Sequence, residues 1–200
     1  MTTDEIGLSG TTIRFAHPTA GADLLYEGVG DEKFPPYWAE LWPSGVELAY
    51  EVSTYELGGL SVLELGCGVG LPSIAAALSG GRVLATDRSR DAAELAGDNA
   101  RRNGVTVETA ECSWEQPDSL LEGAPWDLVL AADVLYEQRN VSWLLSLLPR
   151  LVDRAGEVWI TDPRRTRADD FLTGVVEDWR LSTSATRIPA VDLHRLRLRK

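Results

Sequence analysis

Cysteine, methionine and histidine are nearly missing from this chain. Two cysteines, Cys67 and Cys112, stand among 200 residues, too few for a disulfide framework or a four-ligand zinc site. They fit a reduced compartment. His17 and His194 lie far apart and outside any metal-ligand spacing, so no metal site is expected. No apolar run approaches the ~18 residues that span a bilayer. Met1-Thr-Thr-Asp-Glu5 has neither the basic start nor the apolar run of a secretory signal, so the expected location is cytoplasmic, with no membrane partner. Basic residues are also short: 19 Lys and Arg face 31 Asp and Glu, for a net charge of −12. That balance argues against nucleic acid as a partner, because phosphate contacts need a basic face. The deficit is uneven. Residues 1–60 carry 10 acids and 2 bases, whereas residues 164–200 carry 5 acids and 9 bases. An acidic front half suits attraction of a cationic group, and equally a solvated surface that keeps the protein soluble.

What is present is an ordinary globular composition, 44% hydrophobic and 25% charged, at a length that suits one large domain. Residues 1–33 are polar and glycine-dotted, with short alternating pieces at 11–15 and 22–26 that predict edge strands of an N-terminal extension. A segment dense in aromatics and proline follows, and a helical pattern runs from 46 to 55. Apolar strands at 61–65, 82–86, 105–109, 126–132 and 157–161 then alternate with helices at 72–79, 91–102, 141–152 and 168–178. Asp91 with Glu94 resembles a capping box for the second of these. Two strands close the chain, at 181–187 and 191–199, the last with one extra residue that predicts a bulge. The arginines Arg195, Arg197 and Arg199, with Lys200, read as the exposed face of an edge strand. Strands separated by helices give an α/β fold. The expected architecture is a Rossmann-like, doubly wound, mostly parallel sheet with helices on both faces and an antiparallel C-terminal edge hairpin. It occupies residues 34–200 as one globular unit.

The stretch 61–72 runs from a buried strand through Gly66-Cys-Gly-Val-Gly70 into a helix with Pro72 in its first turn. Glycines let the backbone turn sharply and approach a ligand. The spacing is G-x-G-x-G, whereas the dinucleotide fingerprint is G-x-G-x-x-G, and position 71 is Leu. Asp87 ends the second strand 21 residues after Gly66, the distance at which a carboxylate meets ribose hydroxyls in such folds. It also suits a helix cap, although Ser89 and Asp91 stand closer to the helix. A ligand with a ribose and no pyrophosphate fits better than NAD.

Glu64-Leu-Gly-Cys-Gly-Val-Gly70, Asp87 and Ala131-Ala-Asp-Val-Leu-Tyr136 together resemble a class I, seven-β-strand, S-adenosylmethionine-dependent methyltransferase. Tyr37-Trp-Ala-Glu-Leu-Trp-Pro-Ser-Gly45 is similar to the segment before the core in the family-16 protein methyltransferases, most of which act on protein lysine. Asp133-Val-Leu-Tyr136 matches that group's D-x-x-[Y/F] motif. The resemblance runs from about residue 35 to 162. It implies S-adenosyl-L-methionine as cofactor, with Glu64, Gly66, Cys67 and Gly68 at its methionine and ribose parts and Asp87 at the ribose hydroxyls. Trp114 would lie against the adenine, with Trp42 and the backbone of Ala132 as further contacts. The other tryptophans, Trp126, Trp143, Trp159 and Trp179, read as core.

Methyl transfer from a sulfonium needs a neutral lone pair held in line with the S–CH₃ bond. A carboxylate and an aromatic at the end of the fourth strand suit an amine acceptor, with Asp133 orienting it and Tyr136 walling its channel. Asp133 also suits a helix cap and Tyr136 core packing. Asp162-Pro-Arg-Arg165, at the end of the fifth strand, suits a border of the substrate site, and more readily a surface turn. No Asn-Pro-Pro-Tyr and no Pro-Cys follows the fourth strand, which disfavours base-amine, glutamine and cytosine-C5 methylation. The expected acceptor is a protein lysine, with a small-molecule amine as the nearest alternative. A non-catalytic binding module and an NAD-dependent oxidoreductase are the alternatives from other classes.

Overall fold

The computed structural model describes residues 1–19, 27–29, 32–34 and 36–199. The chain opens with two separate antiparallel hairpins, β1 (Thr2–Gly7) with β2 (Thr12–His17) and β3 (Glu27–Val29) with β4 (Glu32–Phe34). A 3-10 turn at Tyr37–Ala39 leads into α1 (Pro43–Val52). The core then alternates: β5 (Ser61–Leu65), α2 (Leu71–Leu78), β6 (Arg82–Asp87), α3 (Arg90–Arg102), β7 (Glu108–Glu111), α4 (Asp118–Glu122), β8 (Leu128–Ala132), α5 (Gln138–Leu151) and β9 (Glu157–Asp162). It closes with α6 (Ala168–Val175), β10 (Trp179–Ala185) and β11 (Asp192–Leu198).

Seven strands form one sheet in the order β7-β6-β5-β8-β9-β11-β10. The five from β7 to β9 are parallel, and β11 runs antiparallel to both of its neighbours. The mostly parallel α/β sheet with an antiparallel C-terminal end is therefore as expected. Alternation along β8 shows how both faces are buried. Leu128 and Leu130 join Leu48, Ile74 and Ala96 from α1, α2 and α3, while Val129 and Ala131 join Leu120, Leu144 and Phe171 from α4, α5 and α6. The chain order reverses between β5 and β8, and the carboxyl ends of two such strands open a crevice where α/β folds bind ligands.

Several local expectations are corrected. The predicted strand at 11–15 does not join the seven-stranded sheet. The piece at 11–15 becomes β2, whose Ile13 and Phe15 are fully buried against the helices of one face, and the piece at 22–26 lies outside the described residues. Asn99 of α3 locks this hairpin in place, bonding Ala16 N–H (2.7 Å), Ala16 C=O (3.0 Å) and Val69 C=O (2.9 Å). The third core strand begins at 108 rather than 105: Val105 still closes α3, donating its N–H to Ala100 after the left-handed Gly104. Ser89, not Asp91, caps α3, its hydroxyl accepting Ala92 N–H. No bulge interrupts β11, which pairs residue by residue with β9 and β10. Its apolar residues shift phase because each face supplies one, Leu193 to one layer and Leu196 to the other. Nor is β11 an edge strand. It lies between β9 and β10, and its arginines are paired: Arg195 with Glu51 and 4.7 Å over Trp159, Arg197 with Glu157.

Candidate active site

The turn after β5 is sewn to the end of β6. Thr86 C=O accepts N–H donors from Gly66 (2.8 Å) and Cys67 (2.9 Å), and Gly68 N–H donates to Asp87 Oδ2 (3.0 Å). Asp87 Oδ1 accepts Ser89 N–H at 2.9 Å, so the carboxylate is held between the glycine turn and the start of α3. Gly70 has φ +86, and a Cβ there would sit 2.8 Å from Ala96 Cβ; only glycine lets the turn lie on α3. A Cβ on Gly68 would meet Trp38 C=O at 3.2 Å, so the 3-10 turn before α1 closes over the loop. The ring of Trp114 stands 3.6 Å from the corresponding point on Gly66.

Glu64 is fully buried beneath this turn. Oε2 accepts both the N–H (2.9 Å) and the hydroxyl of Ser73, whereas Oε1 is buried without a hydrogen bond from the described residues. Burial, only partly offset by Ser73, pushes its carboxyl up to about 8. Burial also pushes the Cys67 thiol well up, reinforced by Asp87 and Glu64, so Cys67 is a protonated filler and not a nucleophile.

At the end of β8, Asp133 takes φ +57, a left-handed conformation that Asp tolerates better than most residues. Its N–H donates to Thr161 C=O (2.9 Å), and Asn140 of α5 donates to Val134 C=O (3.0 Å), fixing the turn. Asp133 is not a helix cap, since α5 begins after Glu137. Tyr136 is not core: it is 42% exposed and meets Tyr37 edge to face at 5.9 Å, and Tyr37 meets Trp42 at 6.3 Å. Trp42 donates its indole N–H to Tyr37 C=O (2.9 Å).

Asp162-Pro-Arg-Arg165 is a turn with an exposed Arg164 but a buried anchor. Asp162 is fully buried, and its Oδ1 accepts Arg165 N–H at 2.7 Å. Burial and the nearby charge of Asp133 push its carboxyl up to about 6, against the pull of that N–H. The turn sends Arg165 across to Asp133, Nε to Oδ1 at 2.7 Å, with the guanidinium 5.6 Å from the Trp42 ring centroid.

All ten residues singled out from the sequence, Trp42, Glu64, Gly66, Cys67, Gly68, Asp87, Trp114, Ala132, Asp133 and Tyr136, line one cavity of about 380 Å³ at the switch point. That volume lies in the range of small-molecule sites, roughly 300–1,000 Å³. The same wall holds residues the sequence did not single out: Tyr37, Trp38, Arg88, Asn140 and Trp143. Trp143 is therefore misplaced in the core; the signal was its spacing from Arg139 and Asn140, which puts all three on the cleft side of α5.

Comparison with known proteins bears on this arrangement. Residues 38–178 match the family model described as lysine methyltransferase. The chain is 36% identical over 144 residues to the electron transfer flavoprotein beta subunit lysine methyltransferase of Danio rerio, covering 68% of this chain and 54% of that protein. It is 32% identical over 163 residues to histone-arginine methyltransferase METTL23 of Xenopus laevis, covering 76% and 68%. The chain thus spans between about half and two thirds of the length of these curated relatives. Among solved structures, the T. thermophilus 16S rRNA N2 G1207 methyltransferase in complex with AdoMet and guanosine superposes with TM-score 0.71 at 14% identity, over 99% of this chain and 50% of that one. Its likeness concerns the fold alone. The match over 38–178 takes in the aromatic segment, the glycine turn and the Asp133–Tyr136 turn together: the chain belongs to the lysine methyltransferase family.

Proposed function

We propose that this chain transfers the methyl group of S-adenosylmethionine to the side-chain amine of a protein lysine. The observation that carries the reading is the joining of two half-sites in one cleft. The glycine turn with Asp87 and Trp114 lies on one side, and Asp133 with Tyr136 on the other. The first half-site fits the cofactor chemically: the buried Oε1 of Glu64, without a hydrogen bond from the described residues, suits an ammonium, and the glycine at 68 keeps the turn free of a Cβ that would crowd the Trp38 carbonyl. In this reading Glu64 takes the amino group of the methionine part, Gly66, Cys67 and Gly68 its backbone contacts, and Asp87 the ribose hydroxyls. Trp114 offers a π face to the adenine, and Trp42 and Ala132 close the site. When bound, the cofactor supplies a sulfonium methyl activated for in-line displacement, with a neutral thioether as leaving group.

The chain's own part is to hold the acceptor in line and keep water out. Asp133 binds and aligns the amine; it does not deprotonate it, because a nearby carboxylate raises an amine's pKa. Loss of the amine proton is left to partial burial between Tyr37, Trp42 and Tyr136 and to bulk base, so turnover rises with pH below the lysine value of about 10.4. Burial holds the Tyr136 hydroxyl above the ordinary phenol value. Two observations favour a second reading. The Asp133 carboxylate already holds a guanidinium, and a relative acts on histone arginine, so a protein arginine is the alternative acceptor. Incubating a whole, undialysed lysate with methyl-labelled cofactor, separating protein from small molecules and analysing the acid-hydrolysed protein for methylated amino acids tests the choice. Label in methyl-lysine supports the proposal, label in methyl-arginine supports the second reading, and label confined to the small-molecule fraction contradicts both.

A further inference from the structure

Arg165 occupies the place that the preceding reading gives to the acceptor's cation. Asp133, whose side chain is 5% exposed, offers one oxygen to Arg165 and keeps the other buried without a hydrogen bond from the described residues. The face of Trp42 completes a carboxylate-and-aromatic seat, an arrangement that favours alkyl cations generally. Arg165 is aimed there by construction. Its backbone N–H is fixed on the buried Asp162, and the preceding Arg164 holds φ +60 with its guanidinium on both oxygens of Asp192, at 2.9 and 3.1 Å. The Arg165 side chain itself is 36% exposed, so it can leave toward solvent without unfolding the turn.

We propose that Arg165 is a built-in placeholder for the acceptor cation, which an incoming alkyl cation displaces from Asp133 and Trp42. The inference rests on the acceptor reading for the location of the seat and deepens it into a selectivity device. An occupied seat lowers the apparent affinity of every cation to its intrinsic value multiplied by the fraction of time the seat is open. A small free amine has only the seat to gain and is excluded. A side chain carried on a protein surface brings further contacts and displaces Arg165. If Arg165 instead merely buttressed Asp133, removing it would weaken cation binding.

The two roles differ in sign, which makes the test direct. ¹⁵N-labelled protein saturated with S-adenosylhomocysteine is titrated at pH 8 and constant ionic strength with n-butylammonium, and in a second arm with n-butylguanidinium. The Trp42 indole resonance, assigned through Trp42→Phe, reports binding. Arg165→Gln is expected to bind at least one probe tenfold or more tighter than the native protein, and Asp133→Asn to abolish that binding. Equal or weaker affinity for both probes in Arg165→Gln overturns the proposal. Should that variant not fold, Arg165→Met, which keeps an apolar stem but removes the cation, is expected to gain at least threefold, and native affinity there overturns it equally. Failure of the acceptor reading is separable: absence of label in lysate protein with tightened probe binding in Arg165→Gln removes the lysine assignment and leaves the seat.

Discussion

Asp133 holds a backbone conformation that costs a non-glycine residue on the order of 1 kcal/mol, and its turn is pinned from two sides by Thr161 and Asn140. Asparagine tolerates the same conformation, so Asp133→Asn removes charge with little change of shape. We expect it to leave S-adenosylhomocysteine affinity within about twofold by calorimetry, and to lower turnover on the order of 10²-fold, as loss of one aligned electrostatic contact does. Native turnover in that variant removes Asp133 from the acceptor site. Glu64 makes a different prediction. Its folded pKa of about 8 lies above the carboxylate value of 4.5, so between those pH values the folded protein keeps a proton that the unfolded chain has lost. Stability therefore falls as pH rises through that window, by at most about 5 kcal/mol from this group. Denaturation of native protein and Glu64→Gln at pH 5 and pH 8 should show the variant gaining on the native protein at the higher pH. A constant difference contradicts the raised value. Glu64, Asp87, Asp133 and Tyr136 were legible because each sits at a strand end with a motif around it. Arg165 was legible only as part of a turn that suits the substrate border, and not as the partner of Asp133, which lies 32 residues away and is brought near only by the β8–β9 pairing.

At the scale of elements, α1 is the one held by the most distant partners. Glu47 is buried and accepts from Arg187, between β10 and β11, through backbone N–H and Nη2 at 2.8 Å each, while Tyr50 stacks on the same guanidinium. This bond fixes α1, and with it Trp42 at its N-terminus, against the antiparallel end of the sheet. Arg187→Ala leaves a buried carboxylate short of its charged partner. We expect a loss of about 2–3 kcal/mol, below the fully buried case because Arg187 is partly exposed, and a Tm lower by roughly 4–12 °C. Adding Glu47→Gln should restore part of it; a double variant no more stable than the single one contradicts the buried-charge explanation. Element boundaries were legible where burial on both faces gives a mostly apolar strand between turn formers, as in β5 and β9. They slipped where the signal had another cause: Val105 and Val107 anchor the exit of α3 while the edge strand itself is polar, and the uneven pattern of β11 records two buried faces.

The core is one seven-stranded sheet whose order reverses between β5 and β8, and the cavity there, lined from the ends of β5, β6, β7 and β8, is the one to which we assign a donor and an acceptor side. The alternation of strands and helices was enough to expect that reversal and the crevice it opens. The N-terminal hairpin was harder to place, since Ile13 and Phe15 give no hint which helices they cover; Asn99, which ties that hairpin to the glycine turn, supplies the answer only in three dimensions. Everything assigned to the acceptor side depends on the donor side being what its residues suggest. The decisive measurement is the calorimetric affinity of S-adenosylhomocysteine, with NAD as control, for the native protein and Asp87→Ala. Removal of the charge-assisted bonds from Asp87 is expected to cost about 1.5–3 kcal/mol, a loss of roughly 10- to 150-fold, while NAD binds neither form. Unchanged affinity in Asp87→Ala, or a native protein that binds NAD and not S-adenosylhomocysteine, would contradict it.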